Sequence, residues 1–147
     1  SIWFAQQRML ASMHEWVYIV DDDAYVVSNN LQVTLCMKFD STTPTAAGVP
    51  NCRDDSVSCR GFCGGGGMGF NRIGLQTLVG NLSAAEFTDL LIAECYRCNQ
   101  HDDLSVARLS KEKGLAVRTI WGVDINRRHV ETRRARYTSS FWIPQVV

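Results

Sequence analysis

The hydrophobic positions in the first third of the chain change spacing from helix-like to strand-like. Residues 4–16 are rich in helix formers, and a helical spacing predicts one apolar face made of Phe4, Met9, Met13 and Trp16. The β-branched and aromatic residues 17–20 predict a short buried strand, which three consecutive aspartates end. Residues 29–39 are expected to begin with a helical turn and to continue into a second strand.

The rest of the chain combines one long aperiodic segment with further helix patterns. Residues 40–63 are rich in Ser, Thr, Pro, Gly and Cys and predict a long loop. After a glycine-rich stretch, helices are predicted over residues 71–82, 83–98 and 102–114, and a strand over 115–123. The middle helix opens with a capping box, Ser83 to Glu86, and its apolar face is expected to contain Phe87, Leu90, Leu91 and Cys95. This alternation of helices and short strands indicates an α/β domain.

Composition and charge narrow the class of protein. The chain has 147 residues, 46% of them hydrophobic, which is enough for one ordinary domain with a core. Its 15 basic and 15 acidic residues cancel, so no global field favours nucleic acid or an anionic membrane. The basic residues concentrate in residues 126–137, which read as a solvated face or, alternatively, as a contact to a phosphorylated ligand. No apolar run reaches the roughly 18 residues of a membrane helix.

The six cysteines are compatible with two alternative predictions, disulfides or a zinc site. An even number with clustered spacing favours an oxidising compartment and up to three disulfides. Alternatively, the chain is a structural zinc module with four thiolate ligands, Cys59, Cys63, Cys95 and Cys98. The sequon at Asn81 is compatible with glycosylation in the secretory pathway, although Ser83 of that sequon is also the predicted helix cap.

Three short motifs have candidate chemistry. Asp21, Asp22 and Asp23 directly follow the first strand, where aspartate oxygens suit Mg²⁺ or Mn²⁺ held together with phosphate groups. The alternative is an acidic turn. The glycines of residues 64–67 leave bare backbone that a ligand can approach, or form a hinge, and no P-loop pattern is present. Asp102 and Asp103 either cap a helix or supply a general base.

Taken in order, these motifs resemble the Fringe-like family of β-1,3-glycosyltransferases, which includes the Fringe and core 1 galactosyltransferase enzymes. The family pattern W-(apolar)-DDD-T-Y-V-…-N-L is matched, with Ala24 in place of Thr, by Trp16, Asp21, Asp22, Asp23, Tyr25, Val26, Asn30 and Leu31. Its GGAGY-x-x-S/N-R pattern aligns without a gap on residues 64–72, with Gly66 for Ala and Met68 for Tyr. Its DD-x-T-(apolar)-G pattern falls on Asp102, Asp103, Ser105, Val106 and Ala107. The resemblance covers residues 4–122.

The resemblance implies an inverting transferase of the GT-A fold that uses Mn²⁺, or Mg²⁺, and a UDP-sugar donor. Asp23 is then the expected direct metal ligand, and Asp21 and Asp22 lie nearer the ribose or metal-bound water. Gly64, Gly65 and Gly66 shape the sugar and acceptor pocket. Asp103 is the expected base that deprotonates the hydroxyl of a glycan or glycoprotein acceptor, and Asp102 supports it.

Two departures from the family pattern limit what the resemblance implies. The family completes its metal site with a His in a short strand, and here His129 lies a few residues late, with Asp124 as an alternative oxygen ligand. Barely twenty residues precede the aspartates, so the family's nucleotide-binding strand-helix-strand part is expected to be missing. Residues 1–147 are therefore expected to be a single domain, the C-terminal portion of a GT-A catalytic domain.

The same resemblance gives expectations about location and leaves a rival open. The parent protein is expected to lie in the Golgi lumen, with a membrane anchor outside this segment. A catalytically inactive, carbohydrate-binding relative remains an alternative, because Ala24 replaces Thr and no His stands in register.

Overall fold

The computed structural model describes residues 2–21, 25–49, 52–57 and 59–120. Five helices are found in this part of the chain: α1 Ile2–Leu10, α2 Ser28–Lys38, α3 Arg72–Val79, α4 Ala84–Arg97 and α5 Asp102–Glu112. The strands there are β1 Trp16–Ile19, β2 Thr45–Gly48, β3 Cys52–Asp54, β4 Cys59–Gly61, β5 Met68–Asn71 and β6 Ala116–Thr119. The predicted α/β class is confirmed.

Four of the strands form one mixed sheet in the order β1-β5-β2-β6, and β3 and β4 form a separate antiparallel hairpin. Strand β5 runs antiparallel to both β1 and β2, whereas β2 and β6 are parallel. Strands β1, β2 and β6 therefore all end at the same edge of the sheet, which we call the carboxyl edge. The last row of the sheet before this edge consists of Ile19, Met68, Gly48 and Thr119.

Helices cover both faces of the sheet. Neighbouring residues of a strand point to opposite faces, so they pack in two separate clusters. On one face Ala46 and Phe70 pack in the main core with α1, α3, α4 and α5. On the other face Ala47 packs against Leu31 and Leu35 of α2. The sheet is thus the middle layer of three, and its central strands are buried on both sides.

Local sequence explains where the helices begin. Ser83 and Glu86 form the predicted capping box, in which each residue bonds the other's backbone N–H. Asn71 caps α3, because its side-chain oxygen accepts from the N–H of Gly74 at 2.7 Å. The same fully buried Asn71 donates to the carbonyl oxygen of Thr43 at 2.7 Å and accepts from the N–H of Thr45 at 2.9 Å. One side chain therefore ties the start of α3 to the segment that enters β2.

The first two helices differ from their predictions. Helix α1 ends at Leu10, and its buried residues are Ile2, Gln6 and Met9. Phe4 and Met13 were assigned to the apolar face, but they are 63% and 94% exposed.

The predicted strand within residues 29–39 is wrong, because α2 continues to Lys38. It buries Leu31, Thr34 and Leu35 at helical spacing, whereas Val33, Cys36 and Met37 face solvent. These outward apolar residues gave the segment its strand-like composition.

The predicted long loop also contains strands. Residues 40–63 include β2, β3 and β4, and the glycine-rich stretch runs into β5, for which no strand was predicted. Strands β2 and β5 are poor in β-branched residues, so their propensity is low. They form because Ala46, Ala47 and Phe70 are fully buried between helices on the two faces.

The cysteines form two disulfides, Cys52–Cys63 and Cys59–Cys98, which fit an oxidising, secreted or lumenal compartment. Cys36 and Cys95 are free thiols, so the third disulfide that the even count allows is absent from the described residues. Three of the four cysteines of the zinc alternative are bonded in these disulfides and cannot supply thiolates to one ion. No helix within the described ranges is long and apolar enough to cross a membrane.

Candidate functional site

The candidate site lies at the carboxyl edge, where two of the three sequence motifs meet the sheet. Strand β1 leads through Val20 to the exposed Asp21 at this edge. Strand β5 runs in the opposite direction, so the segment that precedes it reaches the same edge. That segment is the glycine turn, residues 64–67, which contains one turn of 3-10 helix.

The glycine turn packs directly on the end of β1. The hydroxyl of Tyr18 donates to the carbonyl oxygen of Gly66 at 2.6 Å, and burial of Tyr18 raises the pKa of its phenol. Gly67 has a φ of 72°, and a Cβ there would lie 2.8 Å from the carbonyl oxygen of Ile19 and closer still to Val20. Gly67 is therefore required both for its backbone angle and for its contact with the residues that precede Asp21.

The other end of the glycine turn is bonded to α5. The N–H of Gly64 donates to Oδ2 of Asp103 at 2.8 Å, and a Cβ on Gly64 would lie 3.3 Å from the Cβ of Asp103. The glycine turn therefore contacts the residues that precede Asp21 through Gly67, and it contacts Asp103 of the second aspartate motif through Gly64. One turn thus links the end of β1 to the start of α5.

Asp103 and Asp102 differ in their surroundings. Asp103 is half-buried, and its Oδ1 also accepts from the N–H of Leu104 at 2.7 Å. Asp102 is exposed, and its Oδ1 accepts from the N–H of Asp103 at 2.8 Å. Both carboxylates thus lie in the first turn of α5, where they accept from its free N–H groups and interact favourably with the helix dipole, whereas the N-cap residue is His101. An ionised carboxylate accepts about four hydrogen bonds, so each oxygen of Asp103 keeps room for a second donor.

The four glycines are not equally available to a ligand. Gly64 is half-buried against Asp103, and Gly66 and Gly67 are buried against β1. Gly65 is the exposed member of the turn. The close approach that the glycines allow is therefore made mainly by the protein's own side chains, and a ligand at this edge would meet the backbone of Gly65.

The predicted metal ligands are only partly within the described structure. Asp21 lies at the carboxyl edge, but Asp22, Asp23, Asp124 and His129 lie outside the described residues. Within the described ranges no three His, Cys, Asp or Glu side chains are grouped to hold a metal ion. Asp21 fits a hard divalent cation by its chemistry and its place at the strand end, and it is the described part of the predicted ligand set.

Sequence reasoning missed the contribution of Tyr18 to this site. It lies two residues after Trp16 on β1, and it packs with α2 on the face opposite the main core. A buried tyrosine usually has a hydrogen-bond partner, so a Tyr in a predicted buried strand is the signal that could have found it.

Comparison with protein-family models, with curated proteins and with solved structures found no match to this chain.

Proposed function

We propose that this protein is a metal-dependent inverting glycosyltransferase that moves a sugar from a UDP-sugar to a glycan or glycoprotein hydroxyl, forming a β-1,3 linkage. The proposal includes the GT-A fold, with which the mixed four-stranded sheet flanked by helices is compatible. It also includes a Golgi location, for which the two disulfides are coarser support.

One observation carries the proposal: the glycine turn joins the end of β1 to the start of α5. The turn contacts Val20 through Gly67 and Asp103 through Gly64. If the aspartates after β1 were only an acidic turn and Asp103 only a residue at a helix start, nothing would require the glycine turn to contact both regions. A transferase requires it, since donor phosphates and acceptor hydroxyl must lie on either side of one sugar carbon.

In this proposal the aspartates and the glycine turn have separate roles. Asp21, together with Asp22 and Asp23 outside the described residues, would hold a divalent cation that binds the diphosphate end of the donor. Asp103, with a second acceptor position on each oxygen, takes the proton of the acceptor hydroxyl as that oxygen attacks. The hydrogen bond from Gly64 to Asp103 fixes the carboxylate relative to the sheet, and the backbone at Gly65 borders the transferred sugar.

Mn²⁺, or Mg²⁺, would be held by Asp21 and Asp23, with His129 as the expected further ligand, and would offset negative charge on the leaving diphosphate. The proposal also includes the direction of attack. The contact of Asp103 with Gly64, at the end of the glycine turn away from β1, supports a proton acceptor on the side of the sugar opposite the leaving group. That arrangement inverts the anomeric carbon.

Donor hydrolysis and transfer by the intact protein, with Mn²⁺ and each of several UDP-hexoses, test the proposal. Removal of a general base typically lowers the rate by about 100-fold to 10,000-fold, so we expect such a loss of kcat for Asp103→Asn. UDP binding with Mn²⁺, measured by calorimetry, is expected to stay within about twofold, because Asp103 does not contact the diphosphate.

Asp89→Asn is the matched control, since Asp89 is an exposed carboxylate on α4 that belongs to none of the three motifs. Thermal unfolding of both variants checks that loss of one hydrogen bond at Gly64 or Leu104 has not unfolded the start of α5. Equal turnover by Asp103→Asn and the unchanged protein would exclude Asp103 as the base. Absence of any Mn²⁺-dependent UDP binding would exclude the transferase.

The second candidate function is carbohydrate binding without transfer. It is favoured by the two backbone N–H groups that already donate to the two oxygens of Asp103. This role predicts binding of a glycan with no turnover of any UDP-hexose. It also predicts the same glycan affinity in Asp103→Asn as in the unchanged protein.

A further inference from the structure

A groove with several basic side chains lies on the hairpin side of the carboxyl edge. Its volume is about 390 Å³. It is bounded by the hairpin of β3 and β4, by the last turn of α5 and by β6, which is an edge strand of the sheet. Four of its residues are cations, contributed by these three parts of the fold: Arg53, Arg60, Lys111 and Arg118.

No acidic side chain of the described residues lines the groove to neutralise these cations. Arg53 pairs with Asp55 at 3.2 Å, but both side chains are more than 60% exposed, so the pair is weak. Arg60, Lys111 and Arg118 form no ion pair with any of the described residues. Among the described residues, the positive charge of Arg60, Lys111 and Arg118 is therefore uncompensated.

Strand pairing in the hairpin brings two of these cations together. Arg53 and Arg60 are direct partners in the register of β3 and β4. Like charges placed directly opposite each other destabilise an antiparallel pair. An anion bound between them would offset this repulsion, and arginine is well suited to bind one through two parallel hydrogen bonds.

The hairpin that carries the two arginines is held in place covalently. Cys52 and Cys59, the residues that precede Arg53 and Arg60, are bonded to Cys63 and Cys98. The ring of Phe62 packs on the backbone of Gly48, where it fills the space of a Cβ. The arginines therefore project from a fixed backbone, which lowers the entropic cost of ordering them around a ligand.

The groove adjoins the candidate site. Thr119, which lines the groove, lies opposite Gly48 in the last row of the sheet. Cys52, also in the groove, is bonded to Cys63, the residue directly before the glycine turn. The N–H of Cys63 donates to the carbonyl oxygen of Val49 at 2.8 Å, so this connection is part of the sheet edge.

We propose that this groove binds an acidic sugar residue, a hexose that bears a carboxylate or a sulfate group. Its volume lies within the range of small-ligand pockets, about 300–1,000 Å³, and is too small for an extended acidic peptide. Resting on the proposed function, the bound residue belongs to the acceptor, which is then an acidic glycan. The binding site itself requires no transfer activity.

Direct binding to the 147-residue chain tests the inference, measured by ligand-observed NMR titration with three probes. These are methyl β-glucuronide, glucose 6-sulfate and neutral methyl β-glucoside. We expect the dissociation constant of at least one acidic probe to be about tenfold lower than that of the neutral probe, as one charge-assisted hydrogen bond would produce. The two acidic probes distinguish a carboxylate from a sulfate. The affinity should fall as salt is raised.

The double variant Arg60→Gln/Arg118→Gln should lose about tenfold or more in affinity for the acidic probe. The control with the same loss of charge is Lys38→Gln/Lys113→Gln, at exposed positions outside the groove, and it should keep the affinity. Since the four substituted residues are exposed, both variants should fold, which thermal unfolding checks.

Several results would overturn the inference. One is equal affinity for acidic and neutral probes. Another is an equal loss in the control variant. A third is inorganic sulfate binding as tightly as glucose 6-sulfate, which would make the groove a plain anion site. Failure of UDP-hexose turnover would contradict the proposed function and leave the groove's ligand as inferred, so the two failures are distinguishable.

Discussion

The sheet with its helices and the β3–β4 hairpin are stabilised by different means. The sheet lies between two apolar clusters, and Phe70, Leu75 and Leu78 of the larger one are fully buried. The hairpin has strands of three residues, and its exposed positions carry Arg53 and Arg60. Its covalent connections are the two disulfides, one across its base and one to the end of α4.

The difference shows how a short, charged hairpin is held beside a well-packed core. A two-stranded hairpin with little apolar surface is marginal in water by itself. The disulfides lower the conformational entropy of the unfolded chain and so stabilise the folded hairpin. This stabilisation offsets the repulsion between like charges on its two strands. The core positions the candidate site, and the covalent connections position the basic groove.

The largest loss of stability should come from removing a buried side chain of the sheet from the core. Phe70→Ala removes a fully buried ring from β5, and a buried Phe→Ala change costs about 3–5 kcal/mol. Chemical denaturation should show this loss in the free energy of unfolding. Phe4→Ala is the control, because Phe4 is 63% exposed and should cost about 0.5 kcal/mol or less. Similar losses in both variants would contradict the assignment of the core.

Removing the disulfides should have the next largest effect, and the two should differ. Cys59–Cys98 closes 39 residues and Cys52–Cys63 closes 11. Chain entropy then predicts losses of about 4 and about 3 kcal/mol for the two Cys→Ala pairs, measured by denaturation under oxidising conditions. Cys36→Ala, at an exposed free thiol, is the control. A larger loss for the shorter loop would show that native contacts, rather than chain entropy, dominate.

Limited trypsin digestion can locate the effect of reduction. With the disulfides reduced, cleavage after Arg53 and Arg60 should accelerate, because both lie in the hairpin. Cleavage after Arg72 should change less, since its guanidinium donates to the carbonyl oxygen of His14 at 2.8 Å and its N–H to that of Glu15 at 2.9 Å. Uniform acceleration at all three sites would show that the hairpin and the sheet unfold as one unit.

The smallest effect should come from a polar contact of the hairpin. The hydroxyl of Ser56, then the side chain of Asn99 and the N–H of Ser56, lower the pKa of Asp54 to about 2, and His101 at 3.4 Å adds a weaker attraction. A carboxyl group with a lowered folded-state pKa stabilises the fold above its unfolded pKa of about 3.9. That contribution is lost as the pH falls through about 2.

Thermal unfolding of Asp54→Asn and of the unchanged protein measures this contribution. The unchanged protein should have the higher melting temperature at pH 6, and the difference should shrink between about pH 4 and pH 2. Asp89→Asn, at an exposed position on α4, should show no such trend. A difference that is the same at pH 6 and pH 2 would exclude the Asp54 contacts as its source.

Much of the fold could be predicted from local patterns. Helix α4 was predicted almost to the residue, because Ser83 and Glu86 form a local capping box. Strand β1 and helix α5 were also predicted with small errors at their ends. Strands β2 and β5 were missed, because Ala46 and Gly69 have little intrinsic preference for strands. Their conformation depends on neighbours far away in the chain.

The candidate site, like the fold, could be predicted only in part from the sequence. The sequence identified Asp21, Asp102, Asp103 and the glycines as chemically suitable, and the family roles assigned to them remain predictions. It left open whether these residues meet. The contacts of Gly64 with Asp103 and of Gly67 with Val20 are long-range, so no local spacing could have predicted them.

The sequence by itself determined the α/β class, the helix with its capping box and the residue types of three motifs. These depend on interactions within a few residues, which spacing and side-chain chemistry describe. Tertiary structure alone decided that β5 returns antiparallel between β1 and β2, and that four cysteines pair across 11 and 39 residues. The physical reason is that burial between two helical layers stabilises strands of low propensity, and this brings the glycine turn between Val20 and Asp103.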